Sequence, residues 1–174
     1  MSTKPVPIYG KSDNGKGYTI YFDINTKKAY RGNHKEINSA KYWIVFFAFL
    51  VLMRGLAEVS FADSWIIKLI FIIIGVPISI LIGKVIQKRS IEDLREIYLS
   101  DYMLEDYINQ GKNMMLKEMI LLIIILIIAI TLSILFIISN WLVWLAFSFL
   151  SFAIAGMMFN GLSMRRWKLF NNGL

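Results

Sequence analysis

The sequence predicts a membrane all-α protein. Four transmembrane helices form two antiparallel hairpins, joined to a small N-terminal cytoplasmic β-meander and an amphipathic helical loop. Three observations lead there. The 174 residues are 57% hydrophobic, with a mean hydropathy of +0.58. The apolar residues collect in runs such as Ile120 to Ile130, ILLIIILIIAI, which has no polar side chain. Lys and Arg flank these runs but are missing from two very short connections between them. Apolar runs of about 18 residues or more are read as spans. In hydrocarbon every backbone N–H and C=O must be satisfied within the segment, so such runs become helices.

The first helix is expected from about Tyr42 to Ser60 and the second from about Ser64 to Gly83. The third is expected from about Glu118 to Ser139, and the fourth from Trp141 to about Gly161. At 1.5 Å per residue each covers a hydrocarbon core of about 30 Å. Phe61-Ala62-Asp63 and Ser139-Asn140 leave room only for tight hairpins. Five segments follow: 1–41, a cytoplasmic hairpin region; 42–83, the first transmembrane hairpin; 84–117, the amphipathic loop; 118–162, the second hairpin; and 163–174, a basic tail.

Orientation follows from the basic flanks. Lys4, Lys11, Lys16, Lys27, Lys28, Arg31, Lys35 and Lys41 precede the first helix. Lys84, Lys88, Arg89, Arg95, Lys112 and Lys117 occupy the middle loop, and Arg165, Arg166 and Lys168 the tail. Four spans put all of them on one side, so both termini and the loop are expected at the cytoplasmic face of the plasma membrane. The N-terminal region lacks the compact apolar segment of a signal peptide, so the first hydrophobic helix is expected to act as its own signal. Trp141 and Trp144 read as outer interfacial anchors and Trp167 as an inner one. The net charge of +7 sits beside the helices, so no nucleic-acid partner is expected.

Outside the spans, Tyr18-Thr19-Ile20-Tyr21-Phe22 alternates and is rich in β-branched and aromatic residues, which reads as a strand. Asp23 to Lys27 reads as a turn, Lys28-Ala29-Tyr30-Arg31 as a return strand, Asn14-Gly15 as a second turn and Pro7-Ile8-Tyr9 as a third strand. So small a meander is marginal alone, so it should lean on the middle loop, the membrane surface or a partner. In the loop, Ser90-Ile91-Glu92-Asp93 has the pattern of a capping box, with Ile91, Leu94 and Tyr98 following at helical spacing. Ser100-Asp101 is expected to start a second short helix carrying Leu104, Tyr107 and Ile108 and ending at Gly111.

The candidate functional residues are the charges of the first hairpin: Arg54, Glu58, Asp63 and Lys68. Arg54 and Glu58 are four apart on one helix face. Glu58 and Lys68 come to similar depth, within about 10 Å of the outer surface, and Arg54 lies deeper. The four charges sum to zero. An ionisable residue within a membrane suggests a site for a charged group or a proton; alternatively the cations snorkel and pair with the carboxylates only for stability.

A second group concerns packing. Gly75, Ser79 and Gly83 recur every four residues on the second helix, Ala48, Gly55 and Ala62 every seven on the first, and Ser148, Ser151 and Ala155 form a small face on the fourth. Small residues let helices approach closely. Pro77 should kink the second helix.

Known chemistries find little purchase. There is no cysteine, hence no disulfide, thiolate site or thiol catalysis. His34 is the only histidine, with no second ligand in view, and reads as a surface residue. No GxSxG, HExxH, phosphate loop or paired-Asp motif occurs. A non-enzymatic protein without metal or cofactor is expected.

The order of parts is a polar hairpin region ending in Lys28-Ala29-Tyr30, then two spans, a charged loop and further spans. This layout, with its Ile/Lys/Asn-rich composition, resembles small membrane proteins of Gram-positive bacteria, the tandem five-transmembrane family and bacteriocin immunity proteins. The resemblance implies a protein that acts by helix–helix contact in the lipid bilayer, on a toxin or as an accessory subunit, with another membrane protein or its own copies as partner. It carries over no functional residue. The other expectation is a small homo-oligomeric transporter or channel using Arg54 and Glu58.

Overall fold

A computed structural model describes residues 5–13, 16–35, 39–57, 64–91, 94–159 and 161–172. In chain order the elements are β1 (Val6–Asp13), β2 (Lys16–Asp23), β3 (Lys28–Asn33), α1 (Ser39–Ala57), α2 (Trp65–Arg89), β4 (Arg95–Ile97), α3 (Asp101–Ser139), α4 (Leu142–Phe159) and α5 (Met164–Asn172). They divide into a sheet unit, residues 1–36, 86–121 and 158–174, and a helix unit, residues 37–85 and 122–157.

The sheet unit holds one antiparallel sheet in the order β1-β2-β3-β4. The three strands read from alternation are present. Asp13 pairs with Lys16, which leaves two residues for the β1–β2 connection; the Asn14-Gly15 turn itself lies outside the described residues. Between β2 and β3, the Asp23 carboxylate accepts the Asn25 N–H at 3.0 Å and Lys27 takes a φ of 52°. Asp and Asn form such turns by bonding backbone two residues on. A bulge between Pro7 and Tyr9 shifts the register of β1. There Ile8 is fully buried in a core with Ile20, Phe22 and Ala29 of the sheet, Leu104 and Met115 of α3, and Leu169 and Phe170 of α5.

Three expectations for the middle segment need correction. Ser90 does not open a helix. It closes α2: its N–H donates to the Ile86 and Gln87 carbonyls, and its hydroxyl to Gln87 O at 2.7 Å. Glu92 and Asp93, the rest of the capping pattern, lie outside the described residues. After them Arg95–Ile97 is a strand, not a helix, and pairs with Ala29–Arg31 as β4. A bridge from His34 to Ile91 continues the pairing. The unpaired edge of β3 is thus satisfied by the loop on which the meander was expected to lean.

The third correction concerns Gly111, which does not end a helix. Ser100 caps α3 by accepting the Met103 N–H at 3.4 Å, and the helix then runs 39 residues to Ser139. The loop helix and the third span, expected as separate elements, are one helix. Gly111 is buried, and a Cβ there would collide with the backbone carbonyl of Ile8 and touch the Phe170 ring. The absent side chain lets α3 cross β1 at contact distance. In the basic tail, residues 164–172 form the helix α5.

In the helix unit, α3 and α4 are joined by a tight turn. Asn140 takes a left-handed φ of 61°, and its N–H bonds Phe136 O at 3.1 Å. Asn is one of the few residues that ends a helix this way. α2 runs through Pro77 and six residues past Gly83 to Arg89. Among the described residues three helices, α2, α3 and α4, are long and apolar enough to cross a membrane. Their large apolar side chains are turned outward, as with Ile73 (68% exposed) and Ile138 (73%). Helices bearing such residues around most of their surface are suited to a lipid solvent.

The Gly111 contact predicts a contrast between two glycine substitutions. Replacing a mid-helix Gly by Ala ordinarily gains up to about 1 kcal/mol. Gly55 faces open space, so Gly55→Ala should leave thermal stability in detergent unchanged or raised. Gly111→Ala forces a methyl onto backbone and should cost about 1–3 kcal/mol or more. Equal thermal midpoints for the two variants would show that α3 does not pack on β1 at this glycine.

Candidate functional site

The charged residues of the first hairpin were the leading candidates. Glu58 and Asp63 lie outside the described residues. Arg54 is exposed in the last turn of α1. Lys68, in the first turn of α2, is 3% exposed. Its ammonium donates to the Ile137 carbonyl at 3.0 Å and to the Asn140 side-chain oxygen. Ile137 sits in the last turn of α3, where carbonyls have no intrahelical partner. A cation there also meets the negative end of the helix dipole. Lys68 therefore caps α3 and ties the start of α2 to the α3–α4 turn.

The remaining polar groups of the helix unit are treated alike. Ser133 of α3 and Ser148 of α4 are buried, with hydroxyls 2.7 Å apart. Both reach the Ala129 carbonyl, at 3.0 and 3.1 Å. Ser151 is half-buried and bonds Phe147 O of its own helix at 2.9 Å. Of the predicted small face, Ser148 and Ala155 are fully buried and Ser151 is not.

The stripe on α2 meets α4. A Cβ on Gly75 would enter the Phe149 ring, and one on Gly83 would strike the Ala153 carbonyl. From the other side, a Cβ on Gly156 would strike the Ile80 backbone. Ser79 between them is buried. Close approach through small residues is thus used within the chain. On α1, a Cβ on Gly55 would meet nothing within 4 Å among the described residues, and Ala62 lies outside them. Beside Gly75, an apolar groove of about 550 Å³ runs along Ile74, Ile78 and Phe149.

The sheet unit carries a cavity of about 450 Å³ beside β4, floored by Phe22, Ala29, Ile97 and Leu104. At its rim Lys28 and Glu96 pair at 2.8 Å. The hydrogen bond to Glu96, aided by its charge, raises the Lys28 pKa above the ordinary lysine value. Both side chains are half exposed, so the pair adds little stability. On the side of the sheet facing α3, Tyr9 stacks on Tyr107 at 4.9 Å and Arg31 lies 4.2 Å over Tyr18. Burial, then the neighbouring tyrosines, raises the Tyr107 pKa. His34 is exposed, with its ring bonded to Thr19 at 2.9 Å. Among the described residues no group of three or more His, Asp or Glu is placed to hold a metal.

Comparison with protein families, with curated proteins and with solved structures finds no match to this chain.

Three partners escaped the sequence reading. Asn140 receives Lys68, and its signal was an Asn directly after a long apolar helix. Gly156 completes the α2–α4 crossing, and its signal was Ala153-xx-Gly156 on α4. Arg166, only 3% exposed, bonds Glu118 at 2.6 Å and Gly161 O at 2.9 Å. They are 48 residues apart in sequence, so no local signal pointed to that pair.

The Lys68 cap makes a direct prediction. Lys68→Met keeps the stem but removes the donor to the Ile137 carbonyl. A part-buried carbonyl left without its partner costs about 1–3 kcal/mol, so the variant should show clearly reduced thermal stability and folded yield. Ser148→Leu should be at least as damaging and Ser151→Leu tolerated, because only Ser148 is enclosed. Wild-type stability of Lys68→Met would remove the cap from the account.

Proposed function

We propose that this chain is a four-span integral membrane protein that acts by contact rather than by catalysis. It would protect against a membrane-directed toxin or bacteriocin, or serve as an accessory subunit of a membrane complex. Both termini and the sheet unit lie at the cytoplasmic face of the plasma membrane. α1 joins α2, α3 and α4 as the fourth span: its 19 residues rise about 28 Å. The basic flanks support the orientation.

One observation carries this reading over a transporter. Lys68, Ser133, Ser148 and Asn140 are directed at each other and at helix carbonyls. Polar groups that line a transport path face a cavity; these knit helices together. Contact would then fall to the outward apolar surfaces and to the sheet unit, with another membrane protein or further copies of the chain as partner. The second reading, a homo-oligomeric transporter or channel using Arg54 and Glu58, draws on the exposure of Arg54 on an apolar helix.

Two measurements test the proposal. The chain has no cysteine, so single cysteines report topology cleanly. In intact cells Ser100→Cys and Asn171→Cys should resist an impermeant thiol reagent, and Ser139→Cys should label. Labelling at Ser100→Cys contradicts the four-span arrangement. Purification in mild detergent should bring down a stoichiometric membrane partner. A clean homo-oligomer whose ion flux is lost in Arg54→Leu would favour the transporter.

A further inference from the structure

Helix α5 has two unlike faces. Arg166, Leu169 and Phe170 are buried. Leu169 and Phe170 belong to the core of the sheet unit, and Arg166 is held by Glu118 and the Gly161 carbonyl. These contacts fix the rotation of α5 about its axis, so its other face cannot turn inward. That face carries Met164, Arg165, Trp167 and Lys168, with Met164 79% exposed and Trp167 52%. Neither Arg165 nor Lys168 has an ion-pair partner among the described residues, and the helix contains no acidic residue.

In water a Trp and a Met on this outward face gain nothing from burial and do nothing for the two cations beside them. At a membrane surface the same four residues are complementary to what they meet. Trp settles at headgroup level, and Lys and Arg reach lipid phosphates. The chain keeps α5 near such a surface. α4, an apolar helix long enough to span, ends at Phe159, and α5 begins at Met164. The connection reaches at most about 18 Å when extended.

We propose that Met164, Arg165, Trp167 and Lys168 form a docking surface for anionic phospholipid headgroups. This rests on the reading of α4 as a span. Each cation near an anionic surface contributes about a fivefold preference, so the two should give a selectivity on the order of tenfold or more.

The full chain would be reconstituted in nanodiscs of phosphatidylcholine mixed with phosphatidylglycerol, with bromine labels on one lipid or the other. The signal of Trp167 is the difference between wild type and Trp167→Phe. It should be quenched more by brominated phosphatidylglycerol than by brominated phosphatidylcholine. In Arg165→Gln/Lys168→Gln the two lipids should quench alike, while Lys27→Gln, a change in the exposed β2–β3 turn, keeps the preference. Equal quenching in the wild type, a preference that survives the double change, or a Trp167 signal that neither lipid quenches overturns the proposal. The last outcome would assign this face to a protein partner or to water. Failure of the reading of α4 as a span shows separately: Asn171→Cys would then label from outside in intact cells while Trp167 remained quenched.

Discussion

Helix α3 has to satisfy two environments along one uninterrupted rod, and most of the structure depends on how it does so. Near its start it must bury Leu104 and Met115 against a sheet. Beyond Leu121 it enters the helix unit, where its Ile side chains face outward and only a narrow strip is buried. Gly111 serves the first task by removing the side chain that would hold α3 away from the Ile8 carbonyl. Ala129, Ser133 and Phe136 serve the second: all three are buried, at intervals of four and three residues. The interval is the helical one, so a single stripe suffices to dock α4.

In the helix unit, burial of apolar surface is a weak force for bringing helices together, because lipid is as apolar as the side chains. Close backbone approach and hydrogen bonding take its place. The α2–α4 crossing at Gly83, Ala153 and Gly156 supplies the first. The Ser133–Ser148 pair and the Lys68 cap supply the second. The sheet unit follows soluble rules instead: a continuous apolar core, pairing of its third strand with β4, and one buried cation, Arg166, paired with Glu118. Arg166 and Lys68 mark the contrast. One is matched by a carboxylate in the sheet unit, the other by a helix end and an amide.

Much of this was legible in the sequence, for identifiable reasons. Strands β1 to β3 were readable because alternation has a period of two and the turn residues punctuate it. The three long apolar helices α2, α3 and α4 were readable because hydrocarbon demands a long apolar run. The small stripe on α2 was readable as packing, although the identity of its partner, α4, was not, since spacing carries no information about what fills it. The errors share a cause. Ser90 with Glu92 and Asp93 matched a helix start, Gly111 matched a helix stop, and both are local signals that tertiary contacts overrode. The β3 edge drew Arg95–Ile97 into the sheet, and the α3–β1 crossing required a glycine where a helix continues. Lys68 donates to a carbonyl and an amide oxygen, while its expected carboxylate partners Glu58 and Asp63 lie outside the described residues.

The continuity of α3 through Gly111 is the claim on which the packing of the sheet unit rests, and a single distance within that unit tests it. Tyr102 and Ile120 are exposed, on opposite sides of Gly111 along α3. With spin labels at Tyr102→Cys and Ile120→Cys in the otherwise cysteine-free chain, pulsed dipolar spectroscopy reads their separation. An unbroken helix places the two backbones about 27 Å apart with a narrow distribution. A helix that stopped at Gly111 and turned through a right angle would bring them to about 19 Å, and a flexible joint would broaden the distribution. Either of those results would contradict the single helix.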